Sequence, residues 1–392
     1  QDAPLRDATA AEAIRTLTEW SMQSLAAMAS AVAKLAFSHG PLWDAISSQS
    51  IRSITQMGPQ SFSTISWAFS KLVVEDVPLR EAIAAQALRN STDLDPQSLS
   101  NPAWSVARLL LRHPPLLDAL ASAALPTLSA FNSQDLSSTP WAMAVLQFFH
   151  APLLDAISSA SIAKLNDADP QSLSNTAWAC APLALLDTPL LDALSSAAIS
   201  KLSELILQDL HITLWAVAKL TWHDWPLIAA LSSAALPLRS DFGVQVIANL
   251  SWSMARLQCQ DQTLLASLSE EALRKCPQFQ QQELANTAWA LATLPRTDTP
   301  LLDAISAASL PKWSDYNPQE CSNIAWAFAK LVVADTPLRD ALSAASLAKI
   351  TDYQPQNLSN TAWALAALAF ADHPLLNAIA SSSIRTLPEF DP

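Results

Sequence analysis

Residues 170–183 read Pro170-Gln171-Ser172-Leu173-Ser174-Asn175-Thr176-Ala177-Trp178-Ala179-Cys180-Ala181-Pro182-Leu183, and the pattern recurs along the chain. PQSLSNPAWSVARL begins at Pro96, PQECSNIAWAFAKL at Pro318 and PQNLSNTAWALAAL at Pro355. Anchoring on the tryptophan gives Trp67, Trp104, Trp141, Trp178, Trp215, Trp252, Trp289, Trp326 and Trp363, each 37 residues from the last, with Ser30 one step earlier. A second motif, of the form D-T-P-L-L-D-A-I, keeps phase. Its proline stands eleven residues past the anchor at Pro41, Pro78, Pro115, Pro152, Pro189, Pro226, Pro300, Pro337 and Pro374. Ten copies at a constant period define a repeat architecture.

Each unit reads as two helices. Helix A opens with a short polar residue followed by Pro and Gln, as in Asp95-Pro96-Gln97 and Asp169-Pro170-Gln171. That is an N-cap followed by proline at the first helical position, where its missing N–H costs nothing. Helix B opens with Asp-Thr-Pro, carries an acid in its first turn, and closes on Lys164, Lys201, Lys275, Lys312 or Lys349, which would complement the helix dipole. Short connections force the pair antiparallel. Neither helix can bury its apolar face alone, so units must stack. The expected fold is all-α, a right-handed α-solenoid of about ten 37-residue hairpins. It runs as one continuous array over 1–392, starting with a helix B at 4–17. Because both ends fall inside the repeat, the chain is expected to be a window of a longer protein.

Composition narrows the chemistry. The chain has 392 residues, 3 Gly and 4 Cys, with 22 Lys+Arg against 35 Asp+Glu. Three glycines cannot supply a phosphate-cradling loop, a dinucleotide turn or a nucleophile elbow, which need backbone at positive φ. The cysteines show no ligand spacing. Cys180, Cys276 and Cys321 fall on core positions, and His39, His113 and His150 replace a loop aspartate. No catalytic set stands out, so the expectation is no enzyme, no cofactor and no metal. No apolar run is long enough to span a bilayer, and membrane insertion is not expected. A net charge of −13 argues against wholesale coating of nucleic acid or of an anionic membrane.

On a helical wheel, the Leu five before the anchor, the Ala just before it and the residue two after it face helix B. Opposite lies a polar strip. Gln stands seven before the anchor in all ten copies, among them Gln60, Gln97, Gln171, Gln208, Gln245, Gln282, Gln319 and Gln356. Asn three before the anchor follows at Asn101, Asn175, Asn249, Asn286, Asn323 and Asn360. A cation four after the anchor is Lys34, Lys71, Arg108, Lys219, Arg256 or Lys330. Stacking would turn these into parallel ladders.

Two readings compete. In the first, Gln caps a neighbouring helix, Asn bonds backbone across repeats and Lys complements a dipole. In the second, amides and cations on one exposed strip hold single-stranded nucleic acid, the amides reaching bases or sugar and the cations phosphate. Both can hold at once, with Gln structural and more variable positions reading bases. Such variation occurs six before the anchor, at Ser98, Asp135, Val246, Glu283 and Asn357. The Trp lies only ~20° from the Gln. It serves either inter-repeat packing or a row of stacking platforms. Acids cluster where A turns into B, at Asp76, Asp187, Asp224, Asp261, Asp298, Asp335 and Asp372, which would keep any RNA on the helix A strip.

The motif P-Q-x-L-x-N-x-x-W-A-x-A-x-L, with an L-L-D-A-[IL] helix between copies, resembles the octotricopeptide-repeat family of organellar α-solenoids over practically the whole chain. That resemblance implies single-stranded RNA binding by helix A positions, around one nucleotide per repeat, in transcript processing, stability, translation or ribosome assembly. It also implies a chloroplast or mitochondrial location. The alternative is the same solenoid as a scaffold for protein partners in a large complex.

Overall fold

The computed structural model describes residues 3–37, 39–71, 76–90, 100, 103–104, 107, 114–294, 298–333 and 335–386. Among them are helices, 3-10 turns and loops, and no strand. The chain divides into two compact units, Gln1–Ala197 and Ala198–Pro392.

The first unit holds α1 Ala3–Thr16, α2 Met22–Lys34, α3 Gly40–Arg52, α4 Pro59–Lys71, α5 Val77–Asn90, α6 Pro114–Ala124, α7 Ser133–Leu146, α8 Ala151–Ile162 and α9 Pro170–Cys180. α10 Thr188–Ser200 crosses the boundary. The second unit holds α11 Leu207–Lys219, α12 Trp225–Ala235, α13 Val244–Arg256, α14 Gln262–Lys275, α15 Gln281–Thr293, α16 Thr299–Ser309, α17 Pro318–Lys330, α18 Thr336–Lys349, α19 Pro355–Ala367 and α20 His373–Arg385. In both units the helices form the expected α-solenoid packing. Each helix A lies against the next helix A (α2 on α4, α7 on α9, and α11, α13, α15, α17, α19 in series), and helix B packs behind it.

The repeat motif explains the local structure. Asp169 caps α9 by accepting from Ser172 N at 2.8 Å, and Asn317 caps α17 by accepting from Glu320 N at 2.9 Å. Asp76, Asp187, Asp224, Asp261, Asp298, Asp335 and Asp372 each accept a backbone N–H at the start of helix B. His39 and His150 do the same through Nδ1, at 3.1 and 3.2 Å, so these histidines are N-caps in place of aspartate. His113 lies outside the described residues. A cap of this kind contributes about 1 kcal/mol.

Helix A ends without glycine. The residue six past the anchor is left-handed at Ala36, Gln147, Ala184, Thr221, Gln258, Val332 and Ala369, with φ between 48° and 56°. The following N–H bonds the carbonyl five residues back, as in Val333 to Phe328 at 2.9 Å. This Schellman turn stops the helix and sends the chain into helix B. A scarcity of glycine therefore does not exclude positive φ here. Ordinary side chains accept the strain because the turn satisfies the helix's last carbonyls.

Repeats are also stitched by polar bonds that helix periodicity does not reveal. The lysines closing helix B reach back one repeat. Lys164 bonds the carbonyls of Ser129 and Phe131, Lys275 that of Phe242, Lys312 that of Phe279, and Lys349 those of Trp313, Ser314 and Tyr316. The expected dipole role is thus secondary to an inter-repeat bridge. Ser158, Ser306 and Ser343 donate to Asp187, Asp335 and Asp372 of the following repeat, so these capping aspartates are partly spent inside the stack. Among the described residues, ion pairs join Arg15 with Glu12 and Arg274 and Lys275 with Glu271, each within one helix, so they do not hold repeats together.

Candidate nucleic-acid interface

Helix A presents its apolar side inward. In α9, Leu173, Ala177 and Cys180 are buried, and in α17, Cys321, Ala325 and Phe328. The opposite edge carries the strip. Gln171, Gln208, Gln245, Gln282, Gln319 and Gln356 are all exposed. They sit in the first turn, two residues past the N-cap, so the cap itself is another residue, such as Asp169 or Asn317. None of these amides hydrogen-bonds a described residue, so the expectation that Gln caps its neighbour's helix does not describe them. Asn175, Asn249, Asn286, Asn323 and Asn360 are half-buried one turn further on, and their side chains also make no hydrogen bond to a described residue. Gln97, Asn101 and Arg108 lie outside the described residues, and for Gln60 only the backbone in α4 is described.

The cations close the strip at the last turn of helix A. Lys71, Lys219, Arg256 and Lys330 are exposed. Lys71 lies 5.1 Å from the centre of the Trp67 ring and Lys330 4.6 Å from that of Trp326. Each lysine thus rests on the anchor of its own repeat, held by the ring's negative face.

The anchors pack on one another. In the first unit Trp104, Trp141 and Trp178 follow at ring-centre spacings of 6.3 and 6.0 Å. In the second unit Trp215, Trp252, Trp289, Trp326 and Trp363 follow at 6.4, 6.2, 6.3 and 6.2 Å, tilted by 26–36°. These spacings lie within the ordinary range of aromatic pairs. Neighbouring rings are each other's partners, and a base could enter between two of them only if the repeats parted. The inner rings are half-buried, while Trp363 is 47% exposed.

The positions six before the anchor have other duties. Asp135 accepts from Asn132 N at 3.2 Å and from the Ser100 hydroxyl at 2.7 Å, and it is buried. Glu283 accepts from Gln280 N at 2.9 Å, and Asn357 accepts from Gln354 N while donating to Ser322 of the preceding repeat at 3.2 Å. Polar variation there follows the needs of capping boxes and of the inter-repeat seam. Ser98 lies outside the described residues, and Val246 is half-buried.

Burial pushes the Cys180 thiol up to about 12 and those of Cys276 and Cys321 up to about 11, so all three are protonated at neutral pH. No group of three or more His, Cys, Asp or Glu is placed to hold a metal ion among the described residues. No described helix is long and apolar enough to cross a membrane.

Among solved structures, the chain is similar to a homology model of the full-length AP-3 complex in an intermediate open conformation. Identity is 10% and the TM-score 0.32, over 98% of this chain and 80% of that one. It is similar also to Kap121p in its crystal structure with Nup53p, at 14% identity and a TM-score of 0.33, over 99% of this chain and 45% of that one. No curated protein matches the chain. A family described as RNA-editing substrate-binding complex 6 protein matches residues 1–225, more than half the length, and the chain belongs to that family.

Proposed function

We propose that the chain is a non-enzymatic member of an RNA-handling assembly that holds single-stranded RNA along the helix A strip. The observation that carries this reading is the glutamine row. A side chain present in every repeat is exposed and unpaired wherever it is described, so packing does not account for its recurrence. Amides accept and donate at base edges and ribose, and the lysine or arginine one helix length away reaches phosphate. The family's name, which refers to an RNA-editing substrate-binding complex, supports an RNA-related role. With the octotricopeptide resemblance it supports work on organellar transcripts, in their processing, stability, translation or ribosome assembly.

A second reading, a protein scaffold inside the same kind of assembly, is favoured by the net charge of −13. Binding of ~12-nucleotide random RNA at low and moderate salt separates the two, because phosphate contacts make affinity fall with salt. RNA binding predicts a steep salt slope, and replacing Lys219, Arg256 and Lys330 with Gln should reduce it by about 2 in log–log terms (roughly 0.7 per lost phosphate contact). Salt-insensitive or absent binding leaves the scaffold reading.

A further inference from the structure

The second unit contains one place where three repeat positions depart from their pattern together. In the 3-10 turn that follows α12, Leu238 stands where other repeats carry the bridging lysine. At the junction one repeat earlier, Leu205 stands where Phe131, Phe242, Phe279, Tyr316 and Tyr353 stand elsewhere. Directly after it, the N-cap of α11 is Ile206, 62% exposed, at a position held by Asp169, Asn317, Gln280 or Gln354 in other repeats. Between them lies an open groove of about 530 Å³, lined by Ile199, Leu202, Ser203, Leu205, Ala234 and Leu238.

The other repeats show what this groove lacks. Lys349 enters the equivalent space and donates to the carbonyls of Trp313, Ser314 and Tyr316. Lys275 and Lys312 do the same at Phe242 and Phe279. The equivalent carbonyls here are those of Leu202, Ser203 and Leu205, and no lysine or arginine among the described residues bonds them. Leu238 is aliphatic and cannot donate.

We propose that this groove is a docking site for a protein partner that inserts a lysine side chain. Its ammonium takes the carbonyls of Leu202, Ser203 and Leu205, and its four-carbon stem lies against Ile199 and Leu238. The occupant's chemistry follows from the chain itself, which fills four described copies of the same socket with its own lysines. The negative ends of the carbonyls and the chain's net charge both favour a cation over a neutral apolar group. Exposed Ile206 extends the rim for the rest of the partner surface. The site lies at the helix B–helix A junction and does not depend on RNA binding along the strip.

The probe is Nα-acetyl-lysine amide at millimolar concentration, read by methyl NMR on Ile199, Leu202, Leu205 and Leu238 of the intact chain. Saturable shifts at these methyls, absent with the Nε-acetylated form, support the site. In Leu238→Lys, which plugs the socket as the other repeats do, the shifts at Ile199, Leu202 and Leu205 should vanish, with melting no lower than wild type and RNA affinity unchanged. Absence of shifts in the wild type, or equal shifts with the neutral Nε-acetylated form, overturns the proposal. So does concentration-dependent dimerisation that Leu238→Lys abolishes, because a second copy would then be the occupant. If Leu238→Lys fails to fold, Ile199→Ala with the charged and neutral probes gives the same contrast.

Discussion

Tyr353 donates its phenolic hydrogen to the Ser346 hydroxyl at 2.8 Å, and both residues are buried. Tyr316 and Ser309 repeat the bond one unit earlier at 2.9 Å. Ser50 and Ser161 occupy the same repeat position as these serines, yet their hydroxyls have no partner among the described residues, because Met57 and Ala168 stand where the tyrosine would. Tyr353→Phe should strand Ser346 and destabilise by about 1–2 kcal/mol. Met57→Tyr should supply the donor that Ser50 lacks and raise the Tm. Calorimetric melting of the two variants checks both signs.

The left-handed turns predict a gain. Val332 is a β-branched residue at φ 56° and is 76% exposed, so it stores strain without burying area. Left-handed backbone costs an L-residue about 1–2 kcal/mol, which glycine avoids at some expense in unfolded-chain entropy. Val332→Gly should therefore stabilise by about 1 kcal/mol. Thr221→Gly, at φ 52°, should act in the same direction. Denaturant midpoints measure both, and a fall in either would contradict the strain argument.

Trp289 lies between Trp252 and Trp326, at 6.2 and 6.3 Å. Trp289→Ala removes two ring contacts at once and opens the seam between three repeats. The expected loss is about 3–5 kcal/mol. Unchanged melting with weakened RNA binding would instead assign the ring to base stacking.

His211 supplies the pH dependence. Burial holds its pKa below the usual histidine value, outweighing its contact with the Leu207 carbonyl at 2.9 Å. The unfolded chain therefore binds a proton more readily than the folded one. Stability from this group is complete above the unfolded pKa of about 6.5 and is lost as pH falls below it towards the lower folded value. Urea midpoints between pH 7.5 and 5 should decline, and His211→Gln should flatten that decline.

The strip and the core were legible because they depend on one helix's own geometry. Gln171 and Gln319 point to solvent, and Leu173 and Phe328 inward, as a 3.6-residue period requires. His39 and His150 read correctly as aspartate substitutes. The lysines closing helix B were only half legible. Their recurrence was plain, but a side chain near a helix end can neutralise its own dipole or cross to a neighbour, and only the distance between repeats decides. Asp135, Glu283 and Asn357 read as variable recognition positions because exposure, not variability, separates a reader from a cap.

The sequence alone determined that this protein stacks 37-residue helical hairpins and that amides and cations share one edge of helix A, since period and wheel position fix which residues align. Tertiary structure decided which of the recurring side chains are already spent. Trp289 is taken up by neighbouring rings, Lys349 by the carbonyls one repeat back and Asp335 by a serine hydroxyl, whereas Gln319 is left exposed. The physical reason is that contacts across a seam depend on spacing and tilt between units, which no repeat carries within itself.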